Sequence, residues 1–345
     1  MSADADLDAD LDNDLGVDPD ADPDADPGAT TLRLAAAVEV AADRLGCLGD
    51  VAQRDVALGP MTTYRVGGVA ALFVRITERS QLHVVADAAK ASGLPVLVVG
   101  RGSNLLVADG GYPGIAVGLG ELDSAIDIDT SAATVVASAS VALPVLARKT
   151  AAAGLGGFEW AVGVPGSIGG AVRMNAGGHG SDMSTSLVEV VVFDLHDGVE
   201  RTLTVDELEL EFRSSSLAPH QLVLEATLQL HQGDAEESAQ QISDIVAWRR
   251  ANQPGGQNAG SVFVNPVPGE VSAGALIDAA GLRGHRLGTA TVSDKHANFI
   301  QADDGGRADD VLALMTHVRK CVEAASGFRL RSEIRLVGFD EGDVF

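Results

Sequence analysis

Two cysteines and four lysines are all that this chain of 345 residues holds of either type. Cys47 and Cys321 form no Cys-x-x-Cys pair, which leaves no disulfide framework or zinc ribbon and suits a reducing compartment, where both pack as small inert side chains. Lysine is confined to Lys90, Lys149, Lys295 and Lys320, and no basic cluster offsets a net charge of −25. Such a surface repels nucleic-acid phosphates and anionic lipid, so neither nucleic acid nor membrane is an expected partner. No stretch approaches the roughly 18 apolar residues of a membrane span. The first residues have neither a basic n-region nor an apolar core, so no secretion signal is read and a cytoplasmic location is expected. The eight histidines show no i, i+4 pair and no Cys/His cluster, and no metal is expected. Walker A and Gly-x-Ser-x-Gly motifs are absent too.

What is present is a chain with 46% hydrophobic residues, long enough for two or three domains with real cores. Residues 1–28 carry eleven Asp and no basic residue, and a disordered acidic tail is expected over 1–30. Apolar spacing predicts helices over Leu32–Leu45, Gln81–Ser92, Leu143–Ala153, Ala273–Ala280 (ended by Gly281) and Ala308–Ala325. β-branched and apolar runs predict strands at Leu72–Ile76, Pro95–Val99 and Leu105–Val107, and within Thr134–Val145 and Leu187–Leu203. The densest signal is residues 163–180, with seven glycines and only Arg173 and His179 able to carry charge. Glycine weakens regular structure, so this density suits a backbone that a flat or phosphorylated ligand approaches closely. Gly100, Arg101, Gly102, Ser103 and Asn104 follow a predicted strand and suit an anion-binding nest, although the third glycine of a dinucleotide-binding fingerprint is missing.

Six motifs then occur in order: Thr63-Tyr-Arg-Val-Gly-Gly68, the Gly100–Asn104 turn, Gly163-Val-Pro-Gly-Ser-Ile-Gly-Gly170 with Met174-Asn-Ala-Gly177, Phe212-Arg-Ser-Ser-Ser-Leu217, Asn258-Ala-Gly-Ser-Val-Phe-Val-Asn-Pro266 and Ser332-Glu-Ile-Arg335. Together they resemble the UDP-N-acetylenolpyruvoylglucosamine reductase family over about residues 35–340. The resemblance implies non-covalent FAD, NADPH as hydride donor, and a substrate, UDP-N-acetylglucosamine enolpyruvate, reduced to UDP-N-acetylmuramate for peptidoglycan. It implies FAD contacts from Tyr64, Arg65, Gly100, Arg101, Gly102, Ser103, Asn104, Gly163, Val164, Pro165, Gly166, Ser167, Gly169, Gly170, Asn175 and Gly177. Ser261 takes the family's proton-donor position, and Arg213 and Glu333 its other two catalytic positions. Asn265, Arg249, Lys295 and His296 form the expected substrate-binding set.

Read without the family, Ser261 is a turn serine, Arg213 is equally a cation at a helix end, and Glu333 is equally a partner of Arg331 or Arg335. Two departures stand out: Val264 occupies a position where the family usually has lysine, and Phe212 one where tyrosine commonly precedes the arginine. The segment from Leu217 to Arg249 is too short for a Tyr-bearing substrate loop, which points to the branch lacking it. An oxidase of the same architecture and a non-catalytic flavin-binding paralogue are the alternatives. The resemblance implies an α+β chain, a monomer: a two-part FAD-binding module like that of vanillyl-alcohol oxidases over 35–235 (lobes 35–117 and 118–235), a smaller α+β substrate-binding domain over 236–330, and a closing strand at 331–340 that carries Glu333.

Overall fold

The computed structural model describes residues 27–120, 122 and 125–340. The acidic run of the expected tail lies outside the described residues. Helix α1 (Pro27–Leu45) starts ahead of the predicted Leu32 and takes in residues 27–30 of that tail; proline is well suited to a first helical turn, where its missing N–H is no loss.

In the first lobe α1 is followed by β1 (Ala52–Ala57), β2 (Val69–Ile76), α2 (Ser80–Ser92), β3 (Val96–Val99), β4 (Leu105–Val107) and β5 (Tyr112–Leu119). The sheet runs β1-β2-β5-β3, with β2, β5 and β3 parallel and β1 antiparallel at the edge. Both faces of β2 are covered: Leu72, Val74 and Ile76 pack with Leu82 and Val85 of α2, and Phe73 packs with Leu58, Val99 and Val107 on the other side. That double burial is why β2 reads as a near-continuous apolar run, interrupted only by the exposed Arg75. Gly93, at φ 70°, ends α2 in the left-handed region that favours glycine.

The second lobe contains β6 (Ile126–Asp129), β7 (Thr134–Ser138), α3 (Leu143–Ala152), β8 (Leu155–Gly156), α4 (Ile168–Arg173), β9 (Gly177–Gly178), β10 (Ser181–Asp182), β11 (Leu187–Asp194), β12 (Val199–Thr204), β13 (Gln221–Gln229), β14 (His231–Gln232) and α5 (Ala235–Asn252). Its five-stranded sheet, β12-β11-β13-β7-β6, is antiparallel throughout. Two expected strands are shorter than the composition suggested. The Thr134–Val145 run stops at Ser138, where the chain turns toward α3, and Leu187–Leu203 splits at a turn in which Asp194 Oδ1 accepts the His196 and Asp197 N–H groups. An aspartate that satisfies backbone donors locally competes with the ladder. α3 and α4 bury Leu143, Leu146, Ile168 and Val172 against Val190 and Leu228 of the sheet.

α5, the first element of the expected substrate domain, packs Ile242, Ile245 and Val246 on the core of the second lobe, and its Ser238 Oγ donates to buried Glu159 at 2.5 Å. On this packing we propose that the domain boundary falls after α5. The C-terminal part holds α6 (Ala273–Ala279), β15 (Arg286–Leu287), β16 (Ala290–Val292), β17 (Ile300–Ala302), α7 (Ala308–Ser326) and β18 (Arg335–Val337). α7 lays Val311, Leu314, Met315, Val318 and Val322 in the same core as Val292 and Ile300 of the small antiparallel sheet. β18 leaves that domain to pair in parallel with β4, Arg335 opposite Leu105 and Val337 opposite Val107. The closing strand is thus three residues long, and Glu333 stands just before it.

Asp234 caps α5 by accepting from Glu236 N at 2.8 Å and Glu237 N at 2.9 Å. Asp234→Ala is expected to lower stability by about 0.5–2 kcal/mol, the usual cost of a lost N-cap, read as a lower urea midpoint at unchanged slope.

Candidate active site

A cavity of about 1790 Å³ runs between the two lobes and the C-terminal domain. One wall is the Gly100–Asn104 turn after β3. Gly102 sits at φ 60°, and a Cβ there would lie 2.2 Å from Met61 O, so the turn itself requires glycine. The opposite wall is the glycine-rich segment before and within α4. It is held by Leu143 N donating to Gly166 O, Ile168 N to Val141 O and Gly169 N to Ala139 O. Here Gly163, Gly169 and Gly177 are close-packed, whereas Gly166, Gly170 and Gly178 are free of such constraint. A Cβ on Gly166 or Gly170 would find its nearest neighbour at 3.5 or 3.8 Å, and one on Gly178 would meet nothing within 4 Å. Their lack of a side chain leaves the backbone open to a ligand rather than to the protein.

At one end Arg213 and Glu333 meet. Arg213, at φ 60° in the turn between β12 and β13, donates from Nε to Glu333 Oε1 at 2.7 Å and from Nη2 to Gly177 O at 2.9 Å. Its guanidinium lies 4.9 Å from the centre of the exposed Phe212 ring. Glu333 is held by its backbone, its N–H donating to Val262 O at 2.8 Å and its carbonyl accepting from Asn104 Nδ2 at 3.0 Å. Burial pushes the Glu333 carboxyl above the usual carboxylate range, against the opposing pull of Arg213. Both local alternatives for these residues are therefore replaced: the partner of Glu333 is Arg213 across 120 residues of chain, not Arg331 or Arg335, and Arg213 sits in a turn, not at a helix end.

Ser261 lines the same cavity, one residue from the Val262 carbonyl that holds Glu333. Buried Asn298 fixes this stretch: its backbone carbonyl accepts from Val262 N, its Oδ1 from Phe263 N at 3.0 Å, and its Nδ2 donates to Phe263 O at 2.8 Å. The sequence carried no sign of Asn298, because a lone asparagine in a loop says nothing about a partner 35 residues earlier.

Of the expected site residues, Gly100, Arg101, Gly102, Ser103, Asn104, Gly163, Val164, Pro165, Gly166, Ser167, Gly169, Gly170, Gly177, Arg213, Arg249, Ser261 and Glu333 line this cavity. The others sit elsewhere. Tyr64 is fully buried in the C-terminal core, its hydroxyl unpaired among the described residues, and Arg65 stands outside the lining at φ 57°. Asn175 lies behind the wall, where its Nδ2 donates to Glu211 O and its Oδ1 accepts from Ser184 N. Asn265 Oδ1 accepts from Ala273 N at the start of α6, and Lys295 Nζ donates to Arg250 O. His296 packs edge-on against Phe299, with burial first and the Arg283 charge second holding its pKa below the usual histidine value. Sequence reasoning passed over Trp248, Arg329 and Arg331, which also line the cavity.

Residues 70–204 match the FAD binding domain family, and residues 251–337 match the C-terminal domain of UDP-N-acetylenolpyruvoylglucosamine reductase. The reductase of that name from Heliobacterium modesticaldum is 42% identical over 285 residues, which span 82% of this chain and 90% of the relative. The chain belongs to the UDP-N-acetylenolpyruvoylglucosamine reductase family. The Synechococcus sp. (strain RCC307) member is 39% identical over 83% of this chain and 94% of its own length. The crystal structure of the Thermus caldophilus member superposes with a TM-score of 0.71 at 34% identity, over 82% of this chain and 98% of that one. The fold is thus an FAD-binding module followed by the reductase C-terminal domain, and the protein is a flavoprotein oxidoreductase with FAD as cofactor. The open glycines of the 163–178 wall, facing the Gly100–Asn104 turn, fit such a flat, phosphorylated group.

The position of Glu333 predicts a pH signature. A carboxyl with a raised folded-state pKa binds its proton more tightly folded than unfolded, so the parent loses stability as pH rises from the ordinary carboxylate range to the raised value. Glu333→Gln removes that loss. The urea-midpoint difference, variant minus parent, is expected to grow as pH rises above the ordinary carboxylate range; a constant or shrinking difference would show that burial does not disfavour the Glu333 anion.

Proposed function

We propose that this protein catalyses the NADPH-dependent reduction of UDP-N-acetylglucosamine enolpyruvate to UDP-N-acetylmuramate, in the cytoplasm, for peptidoglycan precursor synthesis. The observation that carries the reading is the meeting of Ser261, Arg213 and Glu333, drawn from three distant segments, at one end of a glycine-walled cavity. FAD held between the Gly100–Asn104 turn and the Gly163–Gly178 wall would, once reduced by NADPH, supply the hydride for C3 of the enolpyruvyl group.

What remains for the chain is to accommodate charge and deliver a proton. As C3 becomes saturated, negative charge builds on C2 and the adjoining carboxylate. The Arg213 guanidinium offers the remaining N–H groups of Nη1 and Nη2 to that charge, an interaction that strengthens toward the transition state. Arg213 is pre-aimed: Glu333 takes its Nε and the Gly177 carbonyl its Nη2, which costs no reorganisation when charge develops. Ser261 donates its hydroxyl proton to C2. An alcohol is a weak acid, and a fixed one beside a strongly basic enolate carbon is sufficient, since position replaces acidity. The Asn298 clamp on residues 262 and 263 supplies that fixity. Val264 and Phe212 line the cavity as apolar groups, so neither adds a cation or hydroxyl to hold the substrate.

Anaerobic titration tests the reaction as a whole: NADPH is expected to bleach the bound flavin, and the enolpyruvyl sugar nucleotide to restore its colour without oxygen. An oxidase would need air, and a binding protein would not cycle. Because the chain's contacts to the cofactor are non-covalent, acid denaturation should release all the FAD; flavin left on a peptide would contradict the assignment. Ser261→Ala should keep both FAD and its reduction by NADPH while slowing reoxidation by substrate, by about 10²- to 10⁴-fold, the usual worth of a general acid. Stopped-flow absorbance reads this directly, and reoxidation at the parent's rate would return Ser261 to the role of a turn serine.

A further inference from the structure

The net charge of −25 is unevenly spread, and the cavity carries the opposite sign. Residues 1–26, which lie outside the described residues, hold eleven Asp and no basic residue. Among the described residues that line the cavity Glu333 is the only carboxylate, and Arg213 already meets it. Against that one negative charge the lining sets Lys90, Arg101, Arg249, Arg319, Arg329 and Arg331. Elsewhere on the surface cations sit beside acids, as in Arg44–Asp87, Arg54–Glu39, Arg79–Glu200, Arg283–Asp278 and Arg286–Asp303. Positive charge is crowded at the end of α7. Burial first and the Arg329 charge second hold the Arg319 pKa below the usual arginine value, against a weaker pull from Glu323, and Arg329 and Arg331 are exposed.

A segment with eleven like charges is repelled by a body that is itself net negative, so it settles where cations outnumber acids. Length does not prevent the contact. Pro27 opens α1, which packs Ala41 and Leu45 against Leu82 and Val85 of α2, and the end of α2 lines the cavity at Ala89 and Lys90. A segment of that length extends to about 85 Å, roughly three times the ~28 Å of α1, so it can return along α1 and reach the cavity. We propose that the aspartate-rich segment 1–26 docks on the cationic mouth of the cavity, at Arg319, Arg329 and Arg331, and competes there with the anionic ligands that the cavity receives. It acts as a tethered competitor, displaced by enough ligand and weakened by salt. The inference rests on the reductase reading for the ligands on offer, a nicotinamide dinucleotide and a uridine diphosphate sugar, both anionic.

Isothermal titration of the FAD-loaded protein with NADP⁺, and separately with UDP, tests it. Parent is compared with a variant beginning at Pro27 and with a full-length variant in which all eleven aspartates become asparagine, which keeps the segment and removes its charge. Both variants should bind at least one nucleotide about fivefold more tightly at low salt, the factor for a tethered segment at an effective concentration of about 1 mM on a site of about 0.25 mM affinity. The gap should close at about 0.5 M NaCl, where the Debye length is about 4 Å. A diffuse field from the segment would give the same trend, so the double variant Arg329→Gln, Arg331→Gln decides between them. Docking predicts that removing the segment from that variant changes affinity less than about twofold, and an undiminished gain overturns the proposal. Carbodiimide coupling, which joins a carboxylate to a lysine amine that it touches, gives a second reading: a segment aspartate is expected on Lys320, next in sequence to Arg319, or on Lys90 of the lining. Equal affinity in parent and both charge-free variants, or coupling to Lys149 alone, also overturns it. Turnover of the enolpyruvyl substrate is scored separately: segment-dependent binding without turnover leaves the docking standing and removes the reductase reading, and turnover without segment dependence does the reverse.

Discussion

The Arg213–Glu333 pair is the constraint around which the cavity is arranged. Each group is a charge drawn partly out of water, and each would be costly there alone, so the chain must bring the turn after β12 and the segment before β18 together. Burial still dominates at Glu333, whose carboxyl stays harder to ionise than in water despite its partner. The pair is therefore poor evidence for stability and better evidence for a site, because a fold seeking stability alone has cheaper apolar solutions.

Everything near that pair serves to hold backbone still. β18 joins β4 in parallel and thereby carries the C-terminal segment back to the first lobe, where Asn104 Nδ2 donates to the Glu333 carbonyl and Arg335 N donates to Asn104 O. Asn298 clamps the stretch after Ser261 from within the C-terminal domain. The glycine wall supplies the opposite requirement, an exposed backbone that approaches a ligand without side chains in the way. Rigid polar groups at one end and bare backbone along the length are what a reaction on a large, flat cofactor asks of a protein.

Much of this was legible in the chain itself. Local order was written in apolar spacing, so α2, α6 and α7 and the strands β2, β3 and β4 stood within a few residues of their expected places. Strand ends were less legible, because Ser138 and Asp194 stop their strands through turns and local hydrogen bonds that β-propensity ignores. Motif order singled out the glycine segments and Ser261, Arg213 and Glu333, because unusual residue types at fixed spacing survive as a one-dimensional signal.

Residues whose role depends on what lies across a gap were not legible. Asn265 looked like a substrate contact yet meets the first N–H of α6, and Lys295 looked like a phosphate donor yet meets the end of α5. Asn298 and Trp248 looked like nothing in particular. By itself the sequence determined composition, charge, secondary structure and the few residues whose chemistry is rare enough to stand out. Only the tertiary structure decided which polar groups face the cavity and which satisfy the backbone, since every buried donor and acceptor must find a partner, and that partner is chosen by distance in space rather than along the chain.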